Sequence, residues 1–153
     1  MLTAILKGAA AGAAGTTALN ATTFLDMAVR GRPTSSTPER TVEKLAEVAH
    51  MPIPGKGAER DNRLAGLGPL SGIATGVGVG ATLGLLRALR WRPSVAVSAV
   101  AATIAALAGA NVPMTALGIT DPRTWPLESW VADIVPHVVY GIVTAATLDG
   151  LDS

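Results

Sequence analysis

The sequence predicts an all-α fold: a polytopic membrane protein with four transmembrane helices in a bundle packed through small residues, plus one short amphipathic helix in the first connection. Three observations predict it. Four stretches are long and apolar enough to cross a hydrocarbon core, which takes about 20 helical residues. The chain is 49% apolar and 15% charged, with a mean hydropathy of +0.42, yet it holds only three Trp, one Tyr and one Phe, where a water-soluble core of this size relies on large rings. Finally, in "GPLSGIATGVGVGATLG" glycine falls at 68, 72, 76, 80 and 84, one every fourth residue. The 153 residues are expected to form one integral membrane domain, residues 1–153.

The first span is placed at about 8–28. Ala and Gly carry it, Asn20 and Asp26 interrupt it, and Lys7 precedes it. A secretory signal is the rival reading, but Lys7 is the only basic side chain before the apolar run, so the charged n-region of a signal is missing. Residues 29–63 form a polar connection holding seven Lys/Arg and five Asp/Glu. Within it "STPERTVEKLAEVAHMP" predicts a helix over about 38–50, with Thr37 as N-cap, Pro38 at the first position and Pro52 as the stop. Val42, Leu45, Val48 and Ala49 share a narrow face that suits a membrane surface or the end of the bundle.

The second span, 64–86, has no ionisable side chain and is bracketed by Arg63 and Arg87, expected to snorkel to the headgroups. Its seven glycines between 66 and 84 would each cost about 1 kcal/mol relative to alanine in a water-exposed helix. In lipid the backbone has no water to turn to and stays helical. A step of four residues turns about 400°, so the glycines form one inclined ridge without side chains. Helices in a bilayer associate by such close approach of small faces. Gly68, Gly72, Gly76, Gly80 and Gly84 are therefore packing residues, and Gly8 and Gly12 in the first span share their spacing. Ser98, Ala102, Ala106 and Ala110 offer a rival partner face in the third span, 94–116. The fourth span, 130–148, begins beside Trp125 and Trp130, residues favoured at the membrane interface.

Polar residues at membrane depth are the functional candidates, because ionisable groups there are costly and face a bundle interior or water. Asp133 and His137 lie one turn apart, Pro136 between them frees the carbonyl of Ala132, and Tyr140 is within reach on the next turn. With Asn20 these make a candidate intramembrane polar site: Asn20, Asp133, His137 and Tyr140. It suits either a proton relay or a structural clamp. Asp26, one turn before Arg30, is expected in a helix-end ion pair.

Other chemistry finds little support. There is no cysteine, the two histidines lie on different segments, and neither HExxH nor a carboxylate cluster is present, so no metal or other cofactor is expected. A net charge of +1 gives no case for nucleic acid. "GVGVGATLG" lacks the strand, Lys and acidic residue of a nucleotide loop. No nucleophile and base are paired by spacing, so no enzymatic activity is expected.

The stretches "GAAAGAAGTTALNATTFLDMAVRGRPTSSTPE", "LGITDPRTW" and "DIVPHVVYG" together with the glycine ridge resemble small, uncharacterised multi-pass membrane proteins of actinobacteria. The apolar segment ending in His, an aromatic and Gly is remotely similar to the close of the YagU-type inner-membrane proteins. The resemblance implies a four-helix fold in the bacterial cytoplasmic membrane and transfers no site residue. The expected function is a structural or accessory membrane subunit, with the lipid bilayer as partner and self-association or a larger membrane complex as its setting; the alternative is a small carrier or channel for protons or a small polar solute. Four crossings divide the basic residues into Lys7, Arg87, Arg90 and Arg92 on one side and Arg30, Arg32, Arg40, Lys44, Lys56, Arg60, Arg63 and Arg123 on the other. The positive-inside rule then places 29–63 in the cytoplasm and both termini outside.

Overall fold

A computed structural model describes residues 1–152. The described chain is all-helical: α1 Leu2–Arg30, α2 Thr37–Val48, α3 Ala58–Ala88, α4 Val95–Ala116 and α5 Leu127–Asp152, with a single 3-10 turn at Pro122–Thr124. The helix ends follow local chemistry. Gly31 closes α1 at φ 63. A pair of crossing bonds closes α4, from Gly118 N to Thr115 O and Ile119 N to Met114 O, with Gly118 in the left-handed region. Ser94 caps the start of α4 by accepting from Val97 N at 3.3 Å. The α2 cap is Ser36, one residue before the expected Thr37, and its helix stops at Val48.

Three helices exceed their expected bounds, α5 running from Leu127 to Asp152 against the expected 130–148. α1 begins six residues early, and α3 adds Ala58–Arg63 before the apolar run, with Glu59 and Asp61 stabilising its first turn through the helix dipole. Three helices, α3, α4 and α5, are long and apolar enough to cross a membrane. Of the four expected spans, the first is not among them: α1 has the length, but its glycines, its threonines and Lys7 keep its most apolar stretch below that of the other three.

α1 lies between α3 and α5 and runs antiparallel to both. α5 packs on α4, and α4 touches α3 lightly, where Gly109 approaches Thr75. The α1–α3 contact is made by backbone. A Cβ on Gly12 would sit 2.5 Å from Gly76 O, and one on Gly80 would sit 2.6 Å from both Cα and N of Gly12. Gly84 meets Ala4 and Gly8 in the same way. Of the two faces offered to the glycine ridge, the α1 face occupies it.

The ridge does not act as one unit, because it drifts by about 40° per step of four. Gly76, Gly80 and Gly84 meet α1, or Thr16 on it, while Gly68 has rotated far enough to receive Glu39 of α2, whose backbone N is 3.0 Å from where a Cβ would stand. Gly72, between these two contacts, faces open space. Two glycines outside the ridge pack as closely: Gly15 against Tyr140 and Thr144, and Gly141 against Ala99 and Thr103.

The core is made of three alanines, two leucines and one ring: Ala11, Ala102, Ala106, Leu83, Leu148 and Tyr140. Large apolar side chains point outward instead, among them Leu70, Ile73, Val100, Ile104, Val135 and Ile142. α2 rests on the start of α3 through Thr41, Glu39 and a 2.7 Å Glu43–Arg60 ion pair. Its apolar face is turned away from the bundle, with Leu45 and Val48 exposed. Trp125 and Trp130 stack at a tilt, ring centroids 5.2 Å apart, where the last connection enters α5.

Candidate functional site

The helical spacing of Asp133 and His137 delivers the contact it suggests. His137 Nδ1 lies 2.7 Å from the main-chain carbonyl oxygen of Asp133 and 3.5 Å from its Oδ1. A carbonyl oxygen only accepts, so Nδ1 is the donor in this contact. The other carboxylate oxygen, Oδ2, accepts from Asn111 Nδ2 on α4 at 2.8 Å. All three side chains are half-buried. The cluster thus ties α5 to α4 at the turn where each helix carries a proline, Pro113 and Pro136, and α5 stays continuous through Pro136. The signal for Asn111 was present in the sequence as a polar residue within an apolar span.

Tyr140 goes elsewhere. Its hydroxyl donates to Gly76 O on α3 at 2.7 Å, and its ring fills the space left by Gly15 and Gly76. It is a bolt through α5, α1 and α3, almost fully buried. Thr144, one turn further, is also buried, and its hydroxyl has no hydrogen-bond partner among the described residues. Asn20 is half-buried on α1. The antiparallel register, with Lys7 opposite Asp152 and Gly15 opposite Tyr140, brings Asn20 to the level of the His137–Tyr140 turn. No hydrogen bond joins Asn20 or Tyr140 to the Asp133–His137 pair among the described residues. The structure therefore divides the four candidates into an Asn111–Asp133–His137 cluster, a Tyr140 bolt and a separate Asn20.

A second polar centre was not visible from spacing. Arg87, expected at the headgroups, turns inward and is 6% exposed. Its guanidinium meets Asp152 at 3.1 Å, Asp149 at 3.7 Å and the carbonyl of Leu148 at 3.3 Å, and Lys7 reaches Asp152 at 3.4 Å. The end of α5 is thereby fastened to α3 and α1. The cations also sit at the negative end of the α5 dipole. Asp26 is paired as expected, with Arg30 and also with Arg32. Arg63 is held by Glu59 and by Pro54 O.

Hydroxyl groups on the spans mostly satisfy themselves. Thr16, Thr17, Thr22, Thr75, Thr82 and Thr103 each donate to the carbonyl four residues earlier, and Ser71 donates to Gly68 O. Such bonds need no water even where the side chain is exposed.

Beyond the bundle core, a recess of about 360 Å³ lies between α2 and the start of α3, and an apolar groove of about 490 Å³ runs along α3 and α4. Neither is lined by Asn20, Asp133, His137 or Tyr140. Among the described residues no three His, Asp or Glu side chains cluster to hold a metal ion. No family model, curated protein or solved structure matches the chain.

Proposed function

We propose that this is an integral membrane protein of structural or accessory role, crossing the bacterial cytoplasmic membrane four times and held together by a glycine zipper between α1 and α3. The observation that carries the reading is its inverted distribution of side-chain size. Gly, Ala and Thr make up much of the interior, beside Leu83, Tyr140 and Leu148, while most of the Leu, Ile and Val side chains face outward along three helices of membrane-spanning length. In water that arrangement leaves a large apolar surface exposed; in lipid it favours close backbone packing. α1 belongs to the same bundle in this proposal, because it packs antiparallel against two of the three candidate spans and its exposed Thr17 hydroxyl is satisfied by Ala13 O. The likeness to small multi-pass actinobacterial proteins belongs to the same proposal, as does a cytoplasmic 29–63 connection with α2 lying at the lipid surface.

The test is membrane insertion followed by topology. The protein is expected to stay with the membrane through an alkaline carbonate wash. The chain has no native cysteine, so single cysteines at Thr3 and Ser35, at opposite ends of α1, are expected to react oppositely with an impermeant maleimide in intact cells. Equal reactivity would remove the fourth crossing, and release by carbonate would remove the membrane reading altogether.

A second reading, a small carrier, is favoured by the Asn111–Asp133–His137 cluster, which holds an ionisable pair at a depth where such groups are costly. A pH-driven flux in proteoliposomes that His137→Ala abolishes without unfolding the protein would establish it.

A further inference from the structure

The contact between α3 and α4 leaves a long apolar groove on the bundle surface, lined by Ala74, Gly78, Leu83, Leu86, Trp91 and Ala105 among others. From Ala74 to Leu86 it follows twelve helical residues, about 18 Å at 1.5 Å each, close to the depth of one leaflet of a hydrocarbon core about 30 Å thick. Trp91 stands at one end of it. Arg90 and Arg92 flank that ring in sequence, both exposed, and among the described residues neither guanidinium is in a hydrogen bond or an ion pair. Arg30, Arg60, Arg63, Arg87 and Arg123 are by contrast each held by a carboxylate.

The backbone positions this end. α3 closes with Arg90 N donating to Arg87 O at 3.1 Å and Trp91 N donating to Leu86 O at 3.0 Å. That closure sets the residue after the helix against the last apolar turn, so Trp91 and Leu86 wall the groove together. It also forces Arg90 to φ 73, a conformation that glycine adopts without penalty and a side chain does not. An arginine at this strained position, one residue from an interfacial tryptophan, points to a use for its charge.

We propose that the α3–α4 groove takes one acyl chain of an anionic phospholipid, whose phosphate is held by Arg90 and Arg92 beside Trp91. The proposal rests on the membrane reading given above. The charge pattern selects a lipid over a second copy of the chain: in an isologous dimer of identically inserted copies the groove meets itself, which brings the two arginine pairs together without an acidic partner. A phosphate supplies the missing anion in bidentate geometry.

The test uses native mass spectrometry of the full-length protein in neutral detergent, with dioleoyl-phosphatidylglycerol and dioleoyl-phosphatidylcholine as competing probes. Wild type is expected to retain phosphatidylglycerol over phosphatidylcholine by roughly twenty-five-fold, about fivefold for each arginine facing an anionic headgroup. Arg90→Gln with Arg92→Gln should bring the two lipids to parity. Gly78→Leu should lower the occupancy of both. A Cβ at Gly78 meets nothing within 4 Å, so that variant is expected to fold, and the arginine variants alter only exposed side chains. Equal retention of the two lipids by wild type, or an unchanged preference in the double variant, would overturn the proposal. So would a wild-type dimer that Gly78→Leu converts to monomer. The carbonate wash separates the two levels: a protein that resists it but shows no preference loses only the lipid site, and one that is washed out loses the membrane reading as well.

Discussion

Gly80→Ala and Gly78→Ala place the same methyl group two residues apart on one helix and are expected to have opposite effects. At Gly80 the new Cβ would lie 2.6 Å from the Cα and N of Gly12 and would also strike Gly8 O. All three neighbours are backbone, so no rotamer change makes room, and α1 must withdraw from α3 by the better part of an ångström to restore van der Waals distance. Overpacking of this kind typically costs about 1–3 kcal/mol. It also loosens the Gly8–Gly84 and Gly12–Gly76 contacts on the same interface. At Gly78 the Cβ meets nothing within 4 Å, and relief of glycine's backbone freedom gives a gain of up to about 1 kcal/mol. The two variants should therefore differ by about 1–4 kcal/mol, read by denaturing-detergent titration in mixed micelles. Gly72→Ala serves as the internal control, for it shares the four-residue ridge with Gly80 yet faces open space, and it should behave like Gly78→Ala. Equal stability of Gly80→Ala and Gly78→Ala would refute the contact argument. A Gly72→Ala variant as unstable as Gly80→Ala would show that ridge membership, and not contact with α1, decides.

Three further outcomes follow from the described contacts. Arg87→Ala removes the buried cation from Asp149, Asp152 and Leu148 O; it should destabilise the bundle by about 3 kcal/mol in the same titration, in the range for breaking a buried pair from one side, and Asp152→Asn by less, since Asp149 remains. Tyr140→Phe deletes the bond to Gly76 O while leaving the ring in place, so the loss should be near the 0.6 kcal/mol average for hydrogen bonds between membrane helices; a loss above about 2 kcal/mol would mean that the hydroxyl does more than join α5 to α3. Arg123 holds the Asp121 carboxyl below its ordinary pKa through side-chain hydrogen bonds and its own backbone N–H. A depressed carboxylate pKa stabilises the ordered form above the unfolded value, 3.8, and that contribution is lost as pH falls through the folded value. Acid should therefore release the 121–124 turn, shift the fluorescence of neighbouring Trp125, and be mimicked at neutral pH by Asp121→Asn.

The elements were legible because apolar length is a property of the sequence alone: 94–116 and 64–86 fall inside α4 and α3 almost to the residue. Their polar extensions were not, since Ala58–Arg63 is helical through its connection to α3 and its carboxylates at the helix start, not through any apolar period. Packing was legible in part. The four-residue spacing picks out Gly76, Gly80 and Gly84, which approach α1, but it cannot tell where the drift carries the row away from that helix, and so it includes Gly72. Gly15 and Gly141, isolated in the sequence, pack as closely as any ridge glycine because Tyr140, Thr144 and α4 stand opposite them. The Asp133–His137 contact lies within one helix and could be read from spacing; Asn111–Asp133 and Arg87–Asp152 join residues 22 and 65 apart and depend on which helices are neighbours.

The proposed fourth crossing turns on α1, the helix whose composition argues least for it. Its register is what supports the proposal: Ala4 to Thr16 lie against Gly84 to Gly76, and Lys7 to Gly15 lie against Asp152 to Tyr140, so α1 lies alongside two helices of spanning length. A helix placed there meets lipid on only part of its circumference. Its small residues, Gly8, Ala11, Gly12 and Gly15, are the buried ones, and their low apolarity carries no penalty because they touch backbone and not solvent. The side chains that the proposal turns to lipid are Leu2, Leu6, Phe24, Leu25 and Val29, all exposed, while Thr17 and Thr22 return their hydroxyls to the helix itself. Averaged hydropathy undervalues such a helix because it counts the residues that face protein equally with those that face lipid. Were α1 instead to lie in water, the close backbone contact with α3 would leave Leu2, Leu6, Phe24 and Leu25 without cover, and the glycines that make the contact would destabilise the helix that carries them.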